Sequence, residues 1–277
     1  MNKMKKIFAV VLAAVMCLAV AGCDKKDSTD AAVTDSVVEQ SVQTTATEDN
    51  ANNNTTTSGT LVMATNASFP PYEYYENEKI VGIDAEVAEL IAQKLGMTLE
   101  IKDMEFGSII GAVQTGTVDM GMAGMTVTED RLVTVDFSDT YATAVQVIIV
   151  KEDSEIKSAD DLEGKKIGVQ ENTTGDIYVT ADFGEESVKR YSKGNDAVAA
   201  LSAGIVDAVI IDNEPAKNYV AANEGLKVLD TSYADEEYAI AVSKDNTELK
   251  EKINAALAEL KEDGTLDSIV EKYIPED

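Results

Sequence analysis

The chain has 277 residues, of which 44% are hydrophobic, so it is long enough to bury one large core or two smaller ones. Its formal net charge of −28 repels phosphate backbones and argues against a nucleic-acid partner. It has no histidine and only two cysteines, Cys17 and Cys23, which excludes Ser–His–Asp and Cys–His catalysis and a Cys/His zinc site. Catalysis by carboxylates is not excluded, and we expect neither a metal nor a cofactor.

Residues 1–22 have the features of a bacterial export signal. Three lysines precede fourteen apolar residues, 7–20, which is too short to span a bilayer comfortably and typical of a signal-peptide core. The run ends in "LAVAGC", which resembles the lipobox in which the cysteine is lipidated and becomes the new N-terminus. We therefore expect Cys23 to anchor the protein to membrane lipid. The alternative is an ordinary signal peptide followed by an incidental cysteine.

The stretch after Cys23 reads as a linker. Residues 24–58 are rich in Thr, Asn, Asp and Ser and contain no aromatic residue, so burial cannot offset the entropy of ordering them. We predict a lipidated cysteine and disordered linker over 23–59, with the folded body beginning near Thr60.

From Thr60 onward, apolar strands alternate with amphipathic helices. We predict strands at 60–66, 98–104, 119–124, 166–170, 187–191, 208–212, 226–230 and 237–243, and a hairpin turning at Glu76–Asn77. We predict helices at 83–96, 106–116, 173–183, 195–204, 214–223 and 246–263, a short capped helix after Ser158, and a last helix ending at Tyr273. This alternation predicts an α/β protein with mostly parallel sheets, and the repeat of the pattern from about Ala142 suggests two lobes.

The stretch "AGMTVTEDR", residues 123–131, puts Arg131 at the predicted start of a helix, where the helix dipole makes a cation cost about 0.3–1 kcal/mol. One explanation is a surface ion pair with Glu129 or Asp130. The other is that the guanidinium and the free N–H groups of this helix end bind an anion together. Thr126 and Glu129 also fit a capping box.

Several stretches in matching order resemble one family: "TNASFPPYEY", "GIDAEVAELIAQKLG", "DMEFGSIIGAVQTGTVDMGMAGMTVTEDR", "VDFSDTY", "LEGKKIGVQENTTG", "DAVIIDNEPA" and "LKEDGTLDSIVEKY". The resemblance is to the type II periplasmic-binding-protein fold, in the branch that binds polar amino acids for ABC importers, and it covers residues 60 to about 274.

The resemblance implies an α/β fold of two lobes, each with a mixed, mostly parallel sheet flanked by helices. The first lobe would comprise 60–141 and 239–277, and the second 142–238. Two hinge strands would join them near 141–145 and 234–238, and the ligand would lie buried in the cleft between the lobes.

A free amino acid carries a carboxylate and an ammonium, and burying either without a partner is prohibitive. The resemblance implies that Arg131 binds the carboxylate and that Asp212, at the end of a strand, accepts the ammonium. Thr173 and Thr174 would present N–H groups to the carboxylate. For Asp212, Thr173 and Thr174 the alternative is helix capping.

The same resemblance implies further ligand contacts on both lobes. The first lobe would contribute Ala123, Gly124 and Thr126, the apolar walls Phe69 and Phe106, and Asn66, where many relatives carry aspartate. The second lobe would contribute Gln170, next to the ligand side chain, and Tyr72 and Glu73 are additional candidates.

The predicted function is an extracytoplasmic lipoprotein on the outer face of the cytoplasmic membrane. It would capture a free polar amino acid and deliver it to an ABC permease and its ATPase, without being an enzyme. The alternatives are a carboxylate-based dehydratase-like enzyme or a ligand-sensing receptor domain on the same fold.

Overall fold

The structure is a computed structural model that describes residues 59–275. The predicted signal peptide, lipidated Cys23 and linker lie outside the described residues. Among the residues that are described, no helix has the length and hydrophobicity needed to cross a membrane.

The chain alternates strands with helices, as predicted. The strands are β1 (Thr60–Thr65), β2 (Ser68–Phe69), β3 (Glu73–Glu76), β4 (Lys79–Val81), β5 (Thr98–Asp103), β6 (Met120–Gly121), β7 (Asp136–Phe137), β8 (Ala142–Lys151), β9 (Ile167–Gln170), β10 (Val188–Tyr191), β11 (Ala208–Asp212), β12 (Leu226–Tyr238) and β13 (Ala241–Val242). The helices are α1 (Ile83–Lys94), α2 (Phe106–Gln114), α3 (Glu129–Thr134), α4 (Thr174–Phe183), α5 (Gly194–Ser202), α6 (Asn213–Ala221), α7 (Thr247–Glu262) and α8 (Thr265–Tyr273). Short 3₁₀ helices span Ala159–Leu162 and Glu185–Ser187.

Two five-stranded sheets organise the fold, with strand orders β5-β1-β6-β13-β7 and β10-β9-β11-β8-β12. We call the parts built on them the first lobe and the second lobe. Each sheet has two parallel and two antiparallel pairings, so the sheets are mixed but less parallel than predicted. The antiparallel pairings arise where the chain crosses between the lobes and returns. The predicted two-lobed α/β fold with two hinge strands is confirmed.

The hinge is the antiparallel pair formed by the start of β8 and the end of β12. Ala142 pairs with Tyr238 and Val145 pairs with Asp235, so the two crossings lie side by side. Because side chains alternate along a strand, Glu236 and Tyr238 point inward while Glu237 is exposed.

Buried apolar faces hold the helices on the sheets. On α7 the predicted face of Leu249, Ile253, Leu257 and Leu260 is buried, with at most 8% of any of these residues exposed. Burying such a side chain contributes about 1.5–3 kcal/mol, so this stripe fixes α7 on the first lobe.

Besides helix ends that lie up to two residues from the predicted ones, one turn and two strand predictions need correction. The hairpin turns at Asn77–Glu78, both with positive φ, one residue later than expected. Of the segment 119–124 only β6 is strand. The segments 226–230 and 237–243 do not form two separate strands, because β12 continues through 226–238 along β8, with irregular register between Val228 and Ala234.

Candidate functional site

A cavity between the two lobes contains about 320 Å³ of space not occupied by atoms, part of which is open to solvent. Twelve residues line it: Asn66, Phe69, Glu73, Phe106, Ala123, Gly124, Thr126, Arg131, Gln170, Thr173, Thr174 and Asp212. All eleven residues predicted for the ligand site are among them, and Glu73 is the twelfth. The chain thus brings together residues separated by up to 146 positions, from Asn66 to Asp212.

Arg131 lies on α3 with its guanidinium against the cavity wall, and only 8% of the residue is exposed. Nη1 donates to the carbonyl of Thr126 at 2.7 Å, and Nη2 donates across the cleft to the carbonyl of Asn172 at 3.1 Å. The guanidinium carbon lies 5.2 Å from the centre of the Phe106 ring.

No carboxylate within residues 59–275 comes within 4 Å of the Arg131 nitrogens. The alternative of a surface ion pair with Glu129 or Asp130 is therefore wrong. Burial lowers the pKa of Arg131, and the negative charges of Glu236 and Asp212 oppose that shift. A guanidinium still remains charged, so the cavity wall carries a fixed positive charge.

Thr126 does not cap α3, and the predicted capping box is wrong. The N-cap is Thr128, whose hydroxyl accepts a bond from the Arg131 N–H at 3.2 Å. Thr126 instead forms an isolated β-bridge with Tyr238, and its hydroxyl donates to Glu236 Oε2 at 3.0 Å. Its extended backbone places Thr126 outside the helix, and its hydroxyl bonds to Glu236 instead of capping the helix.

Asp212 ends β11 and is 7% exposed. It occupies the N-cap position of α6 but makes no side-chain capping bond, so the capping alternative is wrong here. Its carboxyl accepts a bond from Gln146 Nε2 at 2.8 Å and from the hydroxyl of Tyr238. Burial, followed by the charge of Glu236, raises the pKa of Asp212 to about 8.

The second lobe contributes the start of α4. Thr173 is the N-cap, so the predicted capping role is present, and its hydroxyl also donates to the Gln170 carbonyl at 2.7 Å. The Thr173 N–H donates to that carbonyl at 3.4 Å. Thr174 is the first helical residue, and N–H groups of a first turn have no carbonyl partner within the helix. This end of the cavity can therefore receive an acceptor group.

Amide side chains close the cavity across the cleft. Gln170 Nε2 donates to Asn66 Oδ1 at 3.0 Å, and Asn66 Nδ2 donates to the Met104 carbonyl at 2.8 Å. The Asn66 amide is thus already bonded on both atoms.

Gly124 must be a glycine at this wall of the cavity. Its φ is +51°, and a Cβ there would lie 2.8 Å from a ring carbon of Phe69. The Gly124 N–H donates to Asp84 Oδ2 at 3.0 Å, so a buried acid of α1 fixes this wall from behind.

Glu73 is the residue that the predicted site did not include, although it stood among the additional candidates. It is 1% exposed, and Oε2 has no hydrogen-bond partner in the described structure. Burial and the charge of Asp84 hold the pKa of Glu73 well above its ordinary value, while burial raises the pKa of Asp84 to about 6. The signal in the sequence for Glu73 was its position directly after the "FPPY" segment, beside predicted site residues. Tyr72 is buried nearby but does not line this cavity.

The chain belongs to the bacterial extracellular solute-binding proteins, family 3, whose sequence profile matches residues 61–276. The arginine-binding extracellular protein ArtP of Bacillus subtilis is 36% identical over 220 residues, which cover 77% of this chain and 85% of that protein.

Solved structures agree with this assignment. An ancestral arginine-binding protein bound to glutamine is 45% identical, with a TM-score of 0.75 and coverage of 79% of this chain and 99% of that one. An ancestral arginine-binding protein bound to arginine is 47% identical, with a TM-score of 0.74 and coverage of 78% and 98%. These relatives are binding proteins of the type II periplasmic fold.

Proposed function

We propose that the protein captures a free polar amino acid in the cavity between its lobes. One observation carries this proposal: the same cavity is lined by a buried guanidinium that has no acidic partner, and by a buried carboxyl that has no cationic partner, among residues 59–275. These groups are Arg131 and Asp212. An α-amino acid supplies the complement of both, since its carboxylate matches Arg131 and its ammonium matches Asp212. The eleven predicted residues would contact the ligand from both lobes.

The acidic groups around the cavity favour a ligand with positive charge or a neutral amide over an acidic one, because each of them can lose its proton next to a cation. Four acids are buried there, Glu73, Asp84, Asp212 and Glu236, against the single guanidinium of Arg131 within the described residues of this region. Glu73 lines the cavity, and its Oε2 has no hydrogen-bond partner among the described residues, which makes it a candidate acceptor for a donor on the ligand side chain. The names of the relatives, which bind arginine and glutamine, support the same class.

Membership in an extracellular solute-binding family supports a role in import. We propose that the protein hands its ligand to an ABC permease driven by its ATPase, and that acylated Cys23 holds it on the outer face of the cytoplasmic membrane. Residues 24–58 would serve as the tether. Loss of fatty-acid labelling in Cys23→Ala is the expected result, and label remaining on that variant would contradict the anchor.

The binding proposal is tested by screening the twenty amino acids by thermal shift and measuring the hits by calorimetry. We expect Arg131→Ala and Asp212→Asn each to weaken binding about 10-fold to 100-fold, because a charged hydrogen bond contributes about 1.5–3 kcal/mol. Asp230→Asn, an exposed acid on β12, is the matched control and should leave affinity unchanged. Wild-type affinity in both site variants would refute the assignment. Conversion of the bound molecule over time would instead identify the dehydratase-like alternative.

A further inference from the structure

Glu236 lies on the hinge strand β12, directly behind the cavity, and is 5% exposed. Its Oε2 accepts from the hydroxyl of Thr126 and from Gln146 Nε2, both at 3.0 Å. The same Gln146 nitrogen donates to Asp212 Oδ2 at 2.8 Å. One amide NH₂ group therefore joins two buried carboxyl groups, one on the cavity wall and one on the hinge.

The two carboxyl groups are not neutralised by an ion pair. Within residues 59–275 no lysine or arginine nitrogen lies within 4 Å of either, and Glu236 Oε1 has no hydrogen-bond partner. Two adjacent buried carboxylates without a cation repel each other and lose their hydration. The pair is therefore more stable with one proton than with none.

The surrounding ionisable groups do not remove this repulsion. Arg131 on α3 is the cation whose charge acts on both acids, and it already donates to two backbone carbonyls. The other groups that interact with the charge of Asp212 or Glu236 are phenols and one acid, which add no positive charge: Tyr178 on α4, Tyr238 on β12, Tyr219 on α6, Tyr72 and Glu73. Burial and the charge of Glu236 raise the pKa of Asp212 to about 8, in keeping with a retained proton.

We propose that Glu236 is a further functional residue of the ligand site: together with Asp212 it holds one proton in the ligand-free protein, and the ligand's ammonium displaces that proton. This inference rests on the proposed function, because it needs an amino acid in the cavity. In the step, the carboxyl O–H bond breaks, the proton passes to water and then to buffer, and the ammonium keeps its own three protons. The ammonium then supplies the positive charge that the pair lacked.

Two consequences follow for the binding equilibrium. Close to one proton is released per ligand bound at pH 7, and fewer at pH 8, where the pair has lost its proton in part of the molecules. Affinity rises with pH between about 6 and 8, by up to tenfold per pH unit, because protons compete with the ligand.

The experiment is isothermal titration calorimetry with L-arginine at pH 7 and pH 8, where the ligand's ammonium is protonated, each in two buffers of different ionisation enthalpy, on the full protein. The slope of the binding enthalpy against the buffer enthalpy gives the number of protons released. Glu236→Gln keeps the side-chain shape and removes the carboxylate that repels Asp212, so we expect the release at pH 7 to fall by at least half a proton. Glu237→Gln, the exposed neighbour on the same strand, should match the wild type.

A cationic side chain of the ligand can also displace a proton from Glu73, and it can do so in both proteins. The difference in proton release between wild type and Glu236→Gln therefore reports on the pair of Glu236 and Asp212. Binding without proton release in the wild type at pH 7 would overturn the inference, and so would an unchanged release in Glu236→Gln. The wild-type titration can overturn the inference even where the variant folds poorly. Failure of all twenty amino acids to bind would instead overturn the proposed function.

Discussion

Asp176 binds Arg190 with both carboxylate oxygens, each 2.9 Å from Nε. The same carboxylate accepts the Asn172 N–H at 3.0 Å, and the carbonyl of Asn172 accepts from Arg131 at 3.1 Å. The two arginines of the chain are thus connected through one acid and one turn. Asn172 has a φ of +66°, a conformation that asparagine tolerates better than most residues, and Asp176 holds it there.

Replacing Asp176 with alanine is expected to loosen this turn. The substitution removes the hydrogen bonds that Arg190, the Asn172 N–H and the Thr180 hydroxyl donate to a side chain that is 9% exposed. Unfolding should therefore become easier by about 1–3 kcal/mol, and amino-acid affinity should fall several-fold. Glu185 is the other acid bound to Arg190, and its side chain is 69% exposed. Glu185→Gln should therefore change neither the free energy of unfolding nor the affinity appreciably. Urea unfolding and calorimetry measure the two effects, and equal behaviour of the two variants would show that the turn does not depend on Asp176.

Two glycines on the exposed face of α2 form a matched pair for testing the contact between the lobes. A Cβ at Gly107 would lie 2.4 Å from Asn172 Nδ2, in the second lobe, whereas a Cβ at Gly111 meets nothing within 4 Å. We expect Gly107→Ala to weaken ligand binding about 3-fold to 10-fold by holding the lobes apart, which corresponds to about 0.6–1.4 kcal/mol.

Gly111→Ala should stabilise the protein by about 0.5–1 kcal/mol, because alanine is the better helix former, and should leave affinity unchanged. Thermal unfolding and calorimetry on both variants provide the comparison. A loss of affinity in Gly111→Ala as large as that in Gly107→Ala would assign the effect to the helix rather than to the contact.

The buried acids predict how stability depends on pH. Burial raises the pKa of Asp84 to about 6 and holds that of Glu73 well above its ordinary value, whereas the unfolded chain releases both protons near pH 4. Above pH 4 the folded protein therefore binds more protons than the unfolded chain, and the free energy of unfolding falls as pH rises.

We expect the ligand-free protein to be more stable at pH 5 than at pH 8, by on the order of 1–3 kcal/mol. Glu73→Gln should reduce this difference, since the amide does not titrate. Urea unfolding at both pH values measures it, and higher stability at pH 8 would contradict the assignment of buried protons to these acids.

The fold was accessible from the sequence because its elements are locally encoded. The stripe on α7 repeats at helical spacing, and β11 is a continuous apolar run, "AVIID", so each element is readable without knowledge of its neighbours. The full length of β12 could not be predicted, because its middle residues, such as Asp230 and Ser232, are exposed and polar. Pairing with β8 keeps the segment in the strand.

The cavity lining was accessible for a different reason: a resemblance in ordered motifs located all eleven predicted residues. The layer behind them was not, because its bonds join distant positions. Asp84 contacts Tyr141 across 57 residues, and Glu236 contacts Thr126 across 110. No local pattern encodes such pairs, and the capping box assigned to Thr126 failed for that reason.

The place of β13 in the first sheet has a consequence for synthesis on the ribosome. This strand lies between β6 and β7, yet 103 residues, 138–240, separate it from β7 in the chain. While the second sheet is being made, the nascent first sheet lacks its fourth strand and leaves backbone edges of β6 and β7 unpaired, where other chains can add. Only when Ala241 and Val242 emerge and become fully buried is that gap closed. The first sheet, whose translation begins before that of the second, is therefore completed after it.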